Sequence, residues 1–164
     1  MDANVKQGIV WRRKFVELSE AIFRELGFPP PEMLHDDYQP LAMEMERAGK
    51  PFELIHSSTE IPDRVLVSCN LGQLPEEGVL PGLRKMLQAN LTLARTHGPV
   101  YGLISESQSI RCMYYEKLDD ALASRILEKM RQVAIDSENW RENFFTPTRH
   151  ASTKVLATNQ FSLA

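Results

Sequence analysis

The sequence lacks the residues that many functional classes depend on. It has two cysteines among 164 residues, Cys69 and Cys112, each inside an apolar alternating run. A secreted disulfide scaffold carries more, at closer spacing. No stretch approaches the roughly 18 apolar residues of a membrane span. The opening Met1-Asp2-Ala3-Asn4 has no cationic stretch leading into an apolar run, so no signal peptide is expected. Basic excess is missing too, with 19 basic against 22 acidic side chains and a net charge of −3. Residues 32–77 alone hold ten acidic groups against Arg47, Lys50 and Arg64. A nucleic-acid ligand needs the opposite, a basic stripe. The composition reads as a soluble, reduced, cytoplasmic chain. Its length fits one domain whose core needs neither disulfide nor metal.

Catalytic signatures are equally scarce. There is no Gly-rich loop followed by Lys and Ser or Thr, and no Gly-x-Ser-x-Gly elbow. His35, His56, His97 and His150 fall in four different segments. His35-Asp36-Asp37 reads as a solvated turn after a proline run, because no second His or Cys lies at ligand spacing. His97 sits where a helix C-terminus favours a cation, and His56 falls on a strand where packing explains it. Glu76-Glu77 and Asp119-Asp120 lie where helix starts attract negative charge. Neither cysteine has an activating pattern. The expectation is no catalytic residue, no cofactor and no metal ligand.

Periodicity is what the chain has instead. Trp11, Phe15, Leu18, Ile22 and Leu26 mark one face of a first helix, with Arg12, Arg13, Glu17, Glu20 and Arg24 on the other. Val16 and Phe23 widen the apolar face. Gly27 and Pro29-Pro30-Pro31 stop the helix. Leu41 to Glu46 alternate, Ala48-Gly49-Lys50 turn, Phe52 to Ile55 begin a second strand, and Arg64 to Leu71 form a third. A second helix follows with the stripe Val79, Leu83, Leu87, Leu91 and Ala94, closed by His97-Gly98-Pro99. Val100–Ser105 and Ile110–Tyr115 read as a hairpin. A last helix is predicted from Asp119 as N-cap, with Leu122, Ile126, Met130, Val133, Trp140 and Phe144 on one side. The fold class is α+β, a single domain over residues 1–145 in the order α-β-β-β-α-β-β-α. Its antiparallel twisted sheet carries three helices, and residues 146–164 are expected to be a flexible tail.

Several ordered pieces carry a resemblance. Leu80-Pro81-Gly82-Leu83 through Asn90-Leu91, running on to His97 and then Gly98-Pro99-Val100-Tyr101-Gly102-Leu103, resembles the leucine-rich helix, turn and glycine-leucine strand of the Tir-chaperone (CesT-like) family. Phe15 to Phe28 is similar to that family's first helix, and Leu71-Gly72-Gln73-Leu74-Pro75 to its approach to the second. Asp119 to Arg141, with Glu138 and Trp140, is similar to its last helix. About 130 residues are covered, from roughly Arg12 to Phe144. The stretch His35–Pro40 and the residues after Phe145 depart from the pattern.

The resemblance implies a class I type III secretion chaperone. It would be a bacterial cytoplasmic homodimer without enzymatic activity, binding the non-globular N-terminal segment of one or more secreted effectors. The secretion-system ATPase is a further candidate partner; nucleic acid and membrane insertion are not expected. The second helix and neighbouring strands would form the dimer contact through Leu80, Leu83, Met86, Leu87, Asn90, Leu91 and Tyr101. Hydrophobic patches on the first helix and the sheet would bind the client: Phe15, Ile22, Phe23, Met43, Phe52, Leu54, Val65, Val67 and Cys69. The residues themselves are compatible with this, since strand three is apolar on both faces and helix two is apolar beyond one core contact. A regulatory or export-control binding module of related fold, and a small enzyme, stay open as alternatives. Acidic residues rimming the apolar patches would suit a client with apolar anchors and basic flanks. A charge at Phe15 or Val67 should cut client binding and spare the dimer, unless these residues are core and the fold is lost instead.

Overall fold

A computed structural model describes residues 3–32, 39–96 and 98–145, with side chains from residue 7 onward. In chain order the elements are α1 (Ala3–Glu25), β1 (Leu41–Arg47), β2 (Lys50–His56), β3 (Arg64–Gln73), α2 (Val79–Arg95), β4 (Val100–Ile104), β5 (Ser109–Lys117), α3 (Ala123–Asp136) and α4 (Trp140–Phe145). All strands pair antiparallel in one sheet ordered β1-β2-β3-β5-β4. The α+β class and the order of strands and helices up to α3 follow the expectation. The expected tail 146–164 and the His35-Asp36-Asp37 turn lie outside the described residues.

Local chemistry explains the connections. Ala48 (φ 49°) and Gly49 (φ 72°) form a two-residue hairpin loop of the kind that matches strand twist. Gly72 (φ 106°) sits at the register shift between Asn70 and Gly72, where its N–H donates to Asn70 Oδ1 at 2.9 Å. That bulge lets β3 run on to pair Gly72 with Ile110.

The last helix departs from its predicted form in two ways. It does not start at Asp119, because buried Leu118 is still tied to the sheet, its N–H donating to the Asp63 carbonyl at 2.9 Å. The N-cap is Leu122, without a side-chain cap, and Asp119 instead pairs with Lys14 of α1. Nor is it one helix. Buried Ser137 turns its hydroxyl onto the Val133 carbonyl at 2.6 Å and caps α3, so Trp140 begins a separate α4. The break lets Trp140 Nε1 donate to the Leu71 carbonyl at 3.0 Å beside the bulge. Among the described residues four helices result rather than three.

One face of the sheet is the core. Leu41 and Met43 of β1, Phe52, Leu54 and His56 of β2, Val65, Val67 and Cys69 of β3, and Cys112 and Tyr114 of β5 alternate into it and are all buried. Phe15 of α1 stacks on His56 at 5.4 Å, and Ile126, Met130 and Val133 of α3 are buried in the same cluster. On the opposite face Arg111 pairs with Glu53 and reaches Ser68 Oγ at 3.3 Å.

Helix α1 packs with a shifted phase. Its buried residues are Gly8, Arg12, Phe15, Leu18, Ser19 and Ile22, while Trp11 and Leu26 are only half-buried. The small residues explain the shift. A Cβ at Gly8 would stand 2.7 Å from the Ser58 carbonyl oxygen, so the helix backbone lies directly on the β2–β3 connection. Ser19 satisfies its own hydroxyl on the Phe15 carbonyl at 2.8 Å. Arg12, predicted on the wet face, is thereby carried inside.

Phe15 and Val67 are both 0% exposed and stand in the core. Phe15→Asp places an unpaired charge in the core and should cost about 4 kcal/mol or more. The expected outcome, read by far-UV circular dichroism during heating, is loss of the cooperative transition.

Candidate functional site

Of the nine residues expected to bind a client, eight are core: Phe15, Ile22, Met43, Phe52, Leu54, Val65, Val67 and Cys69 are all buried. The physical reason is the sheet's single covered face, onto which alternation sends every one of the strand residues among them. Phe23 alone is partly exposed. It lines a groove of about 620 Å³ between α1 and β1, with Pro31, Pro40, Leu41 and Met43 as apolar walls. Glu32 and Glu44 line it too, so the groove is apolar with carboxylates beside it.

Arg12 also lines this groove, and it is 4% exposed. Its Nη1 donates to the Gln39 carbonyl at 2.8 Å, while Nε and Nη2 are buried with no acceptor. Its charge makes Arg12 pattern with the wet face, whereas the helix phase set by Gly8 and Ser19 turns it inward. Val10 and Phe28, at 52% and 61% exposure, are further apolar surface at α1 that the pattern did not single out.

The residues assigned to a dimer contact divide differently. Leu80, Leu87 and Leu91 of α2 are 77%, 69% and 63% exposed, an open apolar row at helical spacing. Leu83, Asn90 and Tyr101 are half-buried, and Met86 is buried in the chain's own core. Asn90 works within the chain: Nδ2 donates to the Tyr101 carbonyl at 2.8 Å and Oδ1 accepts the Tyr101 N–H at 2.7 Å. The side chain thus stands in for a strand partner of β4 and ties α2 to the sheet. On the other flank of α2, Gly82 leaves room for the Phe145 ring, whose nearest atom would be 2.3 Å from a Cβ there. So the half of the helix that meets α4 and β4 is occupied, and the leucine row is the half that is not.

Chemistry at the buried polar groups is muted. Burial pushes the Cys69 thiol up to about 11 and the Cys112 thiol up to about 12, so neither is a thiolate nucleophile near neutral pH. Glu116 is held by Arg125 at 3.1 Å and by Lys129, both from α3. Among the described residues no group of three or more His, Cys, Asp and Glu could hold a metal ion.

The model of the Tir chaperone protein (CesT) family matches residues 50–141, more than half of the chain. The chain belongs to the Tir chaperone protein (CesT) family. Two solved structures share the fold of this family member. The HopA1–SchA chaperone-effector complex matches with TM-score 0.56 and 19% identity, covering 79% of this chain and 94% of that one. The ExsC–ExsE complex matches with TM-score 0.64 and 11% identity, covering 83% and 97% respectively. Comparison with curated protein sequences gives no significant match.

His56 yields a pH prediction. Burial, chiefly, holds its pKa below the usual histidine value, and Nε2 faces the Pro62 carbonyl at 2.9 Å. The unfolded chain takes up a proton near pH 6.5 while the folded chain does not, so acid favours unfolding. Stability measured by urea denaturation should fall as pH drops below about 6.5. His56→Gln should flatten that slope.

Proposed function

We propose that the protein is a type III secretion chaperone that acts in the bacterial cytoplasm as a homodimer. In this role it binds the N-terminal non-globular segment of one or more effectors and keeps it soluble and export-competent. The observation that carries the proposal is membership of the Tir chaperone protein (CesT) family across residues 50–141. Two fold neighbours lend support: one lies in a complex described as chaperone-effector, the other in the ExsC–ExsE complex. Among the described residues no helix is long and apolar enough to cross a membrane.

The physics of the surface supports both halves of the reading. A twofold contact through α2 would bury Leu80, Leu87 and Leu91, whose exposure in one chain is costly. Client contacts fall to the α1–β1 groove, to Phe23 lining it, and to exposed Val10 and Phe28, rather than to the eight core residues. An extended segment laid across these sites pays ordering entropy and so needs several apolar anchors for useful affinity. In this role no bond is made or broken.

Affinity purification of the chain from its own host under secreting conditions tests the role. A secreted protein should co-purify through its N-terminal segment and vanish from the medium when the chain is deleted. Unchanged secretion of every effector after deletion would overturn the proposal. For the dimer, light scattering should give twice the chain mass for the native protein. Leu87→Asp with Leu91→Asp should weaken association at least 100-fold, leaving a folded monomer because neither side chain is in the core.

A further inference from the structure

Arg12 is the one buried cation of the described residues whose surroundings do not account for it. An unfilled guanidinium inside a protein is a net cost, since each donor has lost water and gained no acceptor. Glu116, also buried, is balanced by two cations, and half-buried Arg111, whose Nε also lacks an acceptor, has the Glu53 carboxylate. Among the described residues Arg12 has a single carbonyl, that of Gln39, and two buried nitrogens without an acceptor. It stands at the wall of the apolar α1–β1 groove. The aliphatic stem explains why the side chain can lie there, but not why its end is charged.

We infer that Arg12 is a carboxylate anchor: an Asp or Glu side chain of the client, flanked by apolar residues, enters the α1–β1 groove and pairs with the Arg12 guanidinium. This rests on the chaperone reading and names the chemistry that its client must offer. The guanidinium fork presents parallel donors that match a carboxylate, and the apolar walls strengthen such a pair by excluding water. Glu32 and Glu44 in the same groove repel a run of acidic residues, so the site selects a single acidic position between apolar or basic neighbours. Specificity would come from the charge and affinity from the walls.

The test uses the full chain and two small probes, acetyl-leucyl-aspartyl-leucine amide and its asparaginyl counterpart. The Arg12 Nε–H resonance, assigned by its loss in Arg12→Met, should move with the aspartyl probe and stay with the asparaginyl one. Arg12→Met should fold normally, because replacing a buried ion by an apolar side chain of similar length is commonly neutral or stabilising. The aspartyl probe should bind it about 10-fold more weakly or worse, the loss of one charge-assisted pair. Equal response to both probes, or unchanged affinity in Arg12→Met, overturns the inference. So does displacement of the resonance by Asp36→Asn with Asp37→Asn alone, since a carboxylate of this chain would then already fill the site. The two readings fail separately. An effector that co-purifies equally with native protein and Arg12→Met refutes the anchor and leaves the chaperone standing. If no effector is found, the chaperone falls while the probes still decide the anchor.

Discussion

The β3–β5 ladder is the constraint on which the rest of the molecule depends. It joins the two halves of the chain, pairing Arg64 through Gln73 with Ser109 through Lys117. Its alternation fixes which side chains face inward, and Val65, Val67, Cys69, Cys112 and Tyr114 make the centre of the core. A one-residue slip would send all of them to the opposite face. The bulge at Gly72 extends the pairing and leaves the Leu71 carbonyl to receive Trp140. Through Trp140 and α4 that contact places α2, and with α2 its leucine row.

Two surfaces follow from what this arrangement covers and what it leaves. The inner face of the sheet is roofed by α1 and α3, so the strand hydrophobics on it are core. Apolar surface is left at the edges: the groove where α1 passes β1, and the side of α2 turned away from Phe145 and Tyr101. The buried polar groups divide in the same way. Glu116 is paired with Arg125 and Lys129, whereas Arg12 keeps two unfilled donors beside a groove.

Much of this was legible in the sequence, for definite reasons. Alternation from Leu41 to Cys112 placed the strands because hydrophobic period is the strongest local signal. The stop at Gly27 and the Asn90-Leu91 run were legible as well, the first through backbone chemistry and the second through resemblance. What was not legible depends on partners distant in the chain. The burial of Arg12 follows from Gly8 meeting Ser58, and the place of α4 on the sheet follows from Trp140 reaching Leu71. Neither contact leaves a local mark. Likewise, an apolar face reads the same whether a helix of the chain covers it or another molecule does. That ambiguity is why Phe15 and Val67 pattern like surface anchors yet are core.

Hydrogen exchange on the native protein, free and bound to the N-terminal segment of a co-purified effector, tests the central claim most directly. The account predicts added protection in α1 from Arg12 to Phe23 and in β1 from Leu41 to Glu44, with the β3–β5 ladder unchanged. Protection confined to other elements, or a complex formed only with the folded part of the effector, would contradict it.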